Sequence, residues 1–160
     1  MQDLLNRAKL VADQAEVYKS QARQEAVTFQ ASKLKEITRT EEEAWTLRLI
    51  KDGKLGAATS TKPGASDTLL KYATNTVNFG SPVNYSLPGA AKLQEPRTFD
   101  PRVTSVSQQE MLDIAGDLVS ALNSFDPMVK AMASVQKATG ARSLLNSAGF
   151  SGTSEFTNWT

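Results

Sequence analysis

Neither histidine nor cysteine occurs anywhere in the 160-residue sequence. Without cysteine there is no disulfide framework, no thiol nucleophile and no thiolate metal site. Without imidazole there is no Ser-His-Asp triad, no His-Glu-x-x-His zinc helix and no histidine switch near neutral pH. An excess of charge of one sign is missing too. Lys+Arg 18 against Asp+Glu 17 leaves a net charge of +1, so no general attraction to nucleic acid or to an anionic membrane is expected. No run approaches the roughly 18 apolar residues that a membrane span needs. The first residues, Met1 to Arg7, lack a basic region followed by an apolar stretch, so a cytoplasmic location is expected. What is present is ordinary for a soluble globular protein: 40% hydrophobic and 22% charged residues. A chain of this length is able to bury roughly 70% of its extended surface.

Leu4, Leu5, Ala8, Val11, Ala12 and Ala15 recur at helical spacing and predict an amphipathic helix over residues 2–14. From Ala15 the period falls to two. Residues 15–20 and 26–31 read as half-buried strands, with Val27, Phe29 and Ala31 on one face and a short connection at Gln21 to Gln24. Trp45 to Ile50 and Leu55 to Thr61 flank Lys51-Asp52-Gly53-Lys54. Asp-Gly between two strand runs marks a two-residue hairpin, because a type I′ turn needs positive φ at both central positions. Trp45, Leu47 and Leu49 share one face, with Trp45 in the core, and Gly56 marks a bulge or a close backbone approach. About four antiparallel strands are expected between residues 15 and 61.

Pro63 and Gly64 interrupt the sheet. Ser66 and Asp67 are able to cap a helix over 66–79 whose buried stripe is Leu69, Leu70, Ala73 and Val77, with Gly80 past its end. Pro82, Pro88, Gly89, Pro96 and Pro101 predict a long connection without sustained helix. Ser107-Gln108-Gln109-Glu110 is a capping box opening a helix over 108–123. Its apolar residues are Met111, Leu112, Ile114, Ala115, Leu118, Val119 and Leu122, and Asp126-Pro127 closes it. Strands are expected at 131–137 and 142–145 around Ala138-Thr139-Gly140, then a turn at Asn146-Ser147-Ala148-Gly149 and an extended segment from Phe150 to Trp159. The expected fold class is α+β: an antiparallel β-meander with packed helices over 1–127, then, over 128–160, the first strands of a second, truncated β-rich domain.

Few side chains suggest chemistry. Arg48, on a strand beside an apolar run, has the fork geometry to hold a peptide carboxylate, although a solvated or interdomain face is the plainer expectation. Glu41-Glu42-Glu43 offers oxygen ligands to a hard cation but lacks the loop spacing of a cation site and reads as a solvated connection. Lys33, Lys35 and Arg39 form a basic stripe that Glu36 and the following glutamates offset. Asn146-Ser147-Ala148-Gly149 places a hydroxyl and an amide at a turn, where Gly149 is more simply a backbone requirement.

The order of these segments resembles the TldD/PmbA family. Ala15-Glu16-Val17-Tyr18, Thr28-Phe29-Gln30 and Leu34-Lys35-Glu36-Ile37 are followed by the hallmark Leu47-Arg48-Leu49-Ile50, Lys51-Asp52-Gly53-Lys54 and Gly56-Ala57-Ala58-Thr59-Ser60-Thr61. Phe99-Asp100-Pro101-Arg102-Val103, the capped helix and Asn146 to Gly149 come in the same order. The resemblance leans to the PmbA-type branch and marks Arg48, Asp52, Gly53, Gly56, Asn146, Ser147 and Gly149 as signature positions for peptide or interface contacts.

It implies an α+β N-terminal domain ahead of a β-rich one. TldD-type members are zinc metallopeptidases with a His-Glu-x-x-His helix in the later region, and PmbA-type members lack it and pair with them in a heterodimer. The implied role is peptide maturation or degradation of unfolded peptides, with a TldD-type subunit or the chain's own C-terminal domain as partner. No catalytic, cofactor-binding or metal-binding residue carries over, and zinc is expected only in a TldD-type C-terminal region or partner. No nucleic acid and no membrane are expected as partners. The other reading is a free-standing α+β interaction module without a hydrolase role.

Overall fold

The computed structural model describes every residue except 93, 95 and 96, so Pro96 of the expected connection lies outside the described residues. The helices are α1 (Gln2–Ala8), α2 (Ser66–Val77), α3 (Pro101–Ser105) and α4 (Gln108–Phe125). The strands are β1 (Gln14–Gln30), β2 (Lys33–Lys51), β3 (Lys54–Ser60), β4 (Ser81–Pro82), β5 (Ala133–Asn146) and β6 (Ser151–Trp159), in the sheet order β4-β3-β2-β1-β5-β6. The chain forms two units, each assembled from three stretches. The first takes 1–21, 42–96 and 141–154, and the second takes 22–41, 97–140 and 155–160. Residues 128–160 contribute to both.

In the first unit the period-two pattern does what it predicts. Ala15 and Val17 on β1 and Leu47 and Leu49 on β2 turn to one face, where Leu4, Leu5 and Ala8 of α1 and Leu69 and Ala73 of α2 cover them. Trp45 packs half-buried at the margin of this core. Each fully buried leucine contributes on the order of 1.5–3 kcal/mol of hydrophobic stabilisation. β2 and β3 pair antiparallel from Trp45 opposite Ser60 to Lys51 opposite Lys54. Asp52 and Gly53 both have positive φ, 50° and 67°, the primed turn expected of Asp-Gly. Gly56 answers to the second of its two expectations: a Cβ there would collide with the backbone N and Cα of Val77, where α2 ends against β3.

In the second unit Val27 of β1, Met111 and Ala115 of α4 and Val135 of β5 form the core, with Phe29, Val106 and Leu112 against it. The capping box forms as expected: Glu110 N–H donates to Ser107 Oγ at 3.1 Å, and Ser107 N–H donates to Glu110 Oε2 at 2.6 Å. Backbone bonds join Gln136 and Thr160 in both directions, at 2.7 and 3.0 Å.

Several expectations are corrected. The segment 15–61 holds three strands, not about four, because β1 runs unbroken through Gln21 to Gln24, which carry neither glycine nor proline. The reversal into β2 comes at Ala31 and Ser32, with φ of 49° and 63°. Positive φ costs a non-glycine residue of order 1–3 kcal/mol, and tertiary bonds offset it here. Ser32 N–H donates to Ala131 O at 2.9 Å, its hydroxyl donates to Asn123 Oδ1 at 2.9 Å, and Ala131 N–H donates back to Ser32 Oγ at 3.1 Å.

Glu41 to Glu43 lie within β2 rather than in a connection. β5 likewise passes straight through Ala138 to Gly140. The opening helix ends at Ala8 rather than 14, and α2 is preceded by Ala65 with no side-chain cap, Asp67 instead pairing with Arg7 at 2.5 Å. The expected connection carries no sustained helix among its described residues: β4 is a two-residue strand at the sheet edge, where a proline is tolerated, and α3, capped by Asp100 with Pro101 at its first position, begins where the connection ends.

Candidate functional site

The signature residues of the first unit fall in two places. Arg48 projects from β2, and its Nη2 lies 2.8 Å from Oε1 of Glu16 on β1. Glu16 is only 5% exposed. The approach is an ion pair off the hydrogen-bonding direction, since Oε1 finds no hydrogen-bond donor. The buried carboxylate anchors the guanidinium, while the Arg48 side chain stays half-exposed to solvent or a partner. Asp52 N–H donates to Asp13 Oδ2 at 2.8 Å, and Gly53 O accepts from Val83 N–H at 2.7 Å, so the turn is tied to both flanking segments.

Asn146, Ser147 and Gly149 meet at the other place. Buried Asn146 accepts at Oδ1 from the N–H groups of Ala148 and Phe150, both at 3.0 Å, and donates from Nδ2 to Pro88 O at 2.8 Å. Ser147 Oγ accepts from Ala15 N–H at 3.0 Å, and Ser147 N–H donates to Ala15 O at 2.8 Å. Gly149 has φ of 95° and bridges Gly89. Their polar groups bond to the chain itself and close the β5–β6 turn. Beside them lies an open cavity of about 460 Å³, walled by Tyr18, Leu144, Phe150 and the strand Ser151 to Ser154, with Arg142 at its lining.

The sequence reading missed a charged cluster in the second unit. Glu25 on β1 accepts from Arg23 and lies 3.1 Å from Lys137 Nζ of β5, which also donates to Val106 O. Burial pushes the Glu25 carboxyl up, but the hydrogen bonds from Arg23 and Lys137 outweigh it and hold the group below its ordinary value. Arg39 pairs with Glu41 at 2.6 Å, and that hydrogen bond depresses the Glu41 carboxyl. Arg23, Glu25, Arg39 and Met111 line a cavity of about 330 Å³, and Arg23, Glu25, Thr104 and Lys137 a smaller one of about 150 Å³. The repeated Arg-x-Glu spacing at 23–25 and 39–41, which puts both charges on one face of a strand, was the available signal.

Glu43 is likewise engaged. It accepts from Trp45 Nε1 at 2.6 Å and pairs with Lys19 at 3.0 Å, and these bonds lower its carboxyl in that order; Lys19 stands 4.9 Å over the Trp45 ring. Among the described residues no group of three acidic, histidine or cysteine side chains is placed to hold a metal, and no helix is long and apolar enough to cross a membrane.

Comparison with known proteins gives this geometry a context. Residues 15–77 match the domain described as PmbA/TldA metallopeptidase domain 1. No curated protein matches the sequence. Among solved structures, TldE from Thermococcus kodakarensis shares 19% identity at a TM-score of 0.87, over 98% of this chain and 37% of its own. A Thermotoga maritima protein named for a suggested role as a modulator of DNA gyrase shares 16% identity at 0.81, over 99% and 38%. A Bacteroides thetaiotaomicron protein with a similar name shares 16% at 0.72, over 99% and 38%. These likenesses carry the fold, and the α+β class with its antiparallel sheet agrees with the expectation from sequence. The chain spans less than two fifths of the length of these solved structures.

Proposed function

We propose that this chain, whose residues 15–77 match the first domain of the TldD/PmbA family, belongs to that family and serves as the non-catalytic N-terminal portion of a TldD/PmbA-type protein. In this reading it contributes to a substrate cleft or a subunit interface, in the cytoplasm, for the maturation or degradation of peptides. The observation that carries the reading is the pairing of that domain with a donor set that fits no zinc hydrolase centre. The sequence has no histidine and no cysteine, and Glu25, Glu41 and Glu43 are already paired, with Arg23 and Lys137, with Arg39 and with Lys19 in turn. Zinc belongs instead to a TldD-type partner or to a later region.

Arg48, steered by Glu16, and the cavity beside Phe150 are the positions offered to a peptide or a partner subunit. The test mixes purified chain, unfolded casein and zinc, with and without a TldD-type subunit. The reading expects no cleavage by the chain alone and co-elution with that subunit on a sizing column. Chelator-sensitive cleavage by the chain alone, surviving further purification, overturns it.

A further inference from the structure

Helix α4 carries two apolar faces, and only one is used within the chain. Met111, Ala115 and Val119 turn inward and are buried. Ile114, Leu118, Leu122 and Phe125, at successive spacings of four, four and three, form a second stripe. These four remain 42%, 52%, 45% and 89% exposed, and the stripe runs on into Met128, 86% exposed. Exposing four large apolar side chains in a row on one helix has no counterpart elsewhere among the described helices. Contiguous apolar surface of this kind marks an interaction site when polar residues rim it. Here the rim has one sign. At 100° per residue, Glu110 and Asp117 lie about 40° and 60° outside Ile114 and border the stripe, with Asp113 farther round toward solvent. No lysine or arginine occurs anywhere from Gln108 to Phe125.

That charge pattern selects the occupant. An anionic lipid surface is repelled by the carboxylate row. The α4 of a second copy supplies no countercharge, and antiparallel pairing of two α4 helices sets both acidic rows on the same side of the seam. We infer that the Ile114–Leu118–Leu122–Phe125 stripe docks an amphipathic helix of another protein, with leucine-like residues at i, i+4 and i+7 and lysine or arginine along the border that meets Asp117 and Glu110. The inference rests on α4 alone and stands whether or not the family-based function above holds.

The test uses a fluorescein-labelled 18-residue helical peptide of leucine, alanine and lysine with that spacing, and a second peptide with every lysine replaced by glutamate. Titration into the full chain is followed by fluorescence anisotropy at low salt. The lysine peptide is expected to bind at least about tenfold more tightly than the glutamate peptide. Leu118→Ser with Leu122→Ser is expected to abolish binding, and Asp113→Lys with Asp117→Lys to reverse the preference between the two peptides. Because both aspartates are exposed, the second pair of substitutions keeps the fold and decides the matter if the serine variant does not fold. Equal binding of both peptides overturns the inference, as does binding unaffected by either pair of substitutions or no binding at all. Binding of phosphatidylglycerol vesicles, or concentration-dependent self-association lost in the serine variant, overturns it in favour of a membrane or a second copy.

Discussion

The two units solve the same problem with different materials. In the first, nine buried apolar residues drawn from α1, β1, β2 and α2 form one core, the ion pairs of Arg7 lie at the surface, and Lys19–Glu43 is half-buried. In the second, the core comprises Val27, Met111, Ala115 and Val135, and the Arg23–Glu25–Lys137 cluster ties β1 to β5 and to the carbonyl just before α4. Burial stabilises without regard to pH. A carboxylate held by two cations stabilises only while it is ionised. Glu43 of the first unit is also held below its ordinary value, but the second unit sets Glu25, Glu41, Asp100 and Glu110 so held against a smaller core. That makes it the more acid-sensitive of the two, and it also displays the unused face of α4.

The comparison is broken most severely by removing the first unit's core. Leu49→Ala, at a fully buried position, should cost about 2–5 kcal/mol, read as a fall in the urea midpoint; a cost below about 1 kcal/mol would mean the site collapses around the gap. Next is Gly53→Val, which forces a β-branched residue to positive φ in the β2–β3 turn. A loss of about 1–3 kcal/mol is expected, and an unchanged midpoint would contradict the turn.

Glu25→Gln sharpens the contrast between the units. The folded carboxyl lies below its ordinary value, so its contribution is present above the unfolded value and is lost as pH falls through the folded one. Thermal melts of the native chain should therefore decline on the acid side more than those of the glutamine variant; parallel declines would show that Glu25 is not the acid-sensitive group. The smallest effect is a gain. A Cβ at Gly116 in α4 meets nothing within 4 Å, so Gly116→Ala should stabilise by about 0.4–1 kcal/mol, through restriction of the unfolded chain and better helix propensity.

Legibility in the sequence follows the range of the interactions. The Asp52-Gly53 turn and the Ser107–Glu110 box were readable because the residues that make them are neighbours in the chain. The Ala31–Ser32 turn was not, since its strained φ values are held by Asn123 and Ala131, which lie about a hundred residues away and leave no local mark. The same distance hid Lys137 from Glu25, and reading Gln21 to Gln24 as a connection concealed the strand spacing of Arg23 and Glu25. On α4 the sequence showed that Ile114, Leu118 and Leu122 are apolar, and only packing shows that the sheet covers a different stripe. The strand that carries Arg48 was legible, but its buried partner Glu16 lay on a neighbouring strand whose pairing no local pattern specifies.

Hydrogen exchange read by mass spectrometry, at two pH values and corrected for intrinsic chemistry, tests the contrast most directly. The account predicts that amides around Val17, Leu47 and Leu49 exchange slowest at both pH values, while α4 and the Val135 segment of β5 lose protection first on acidification. Equal protection in the two units, or earlier loss at Leu47 and Leu49 than at α4, would contradict it.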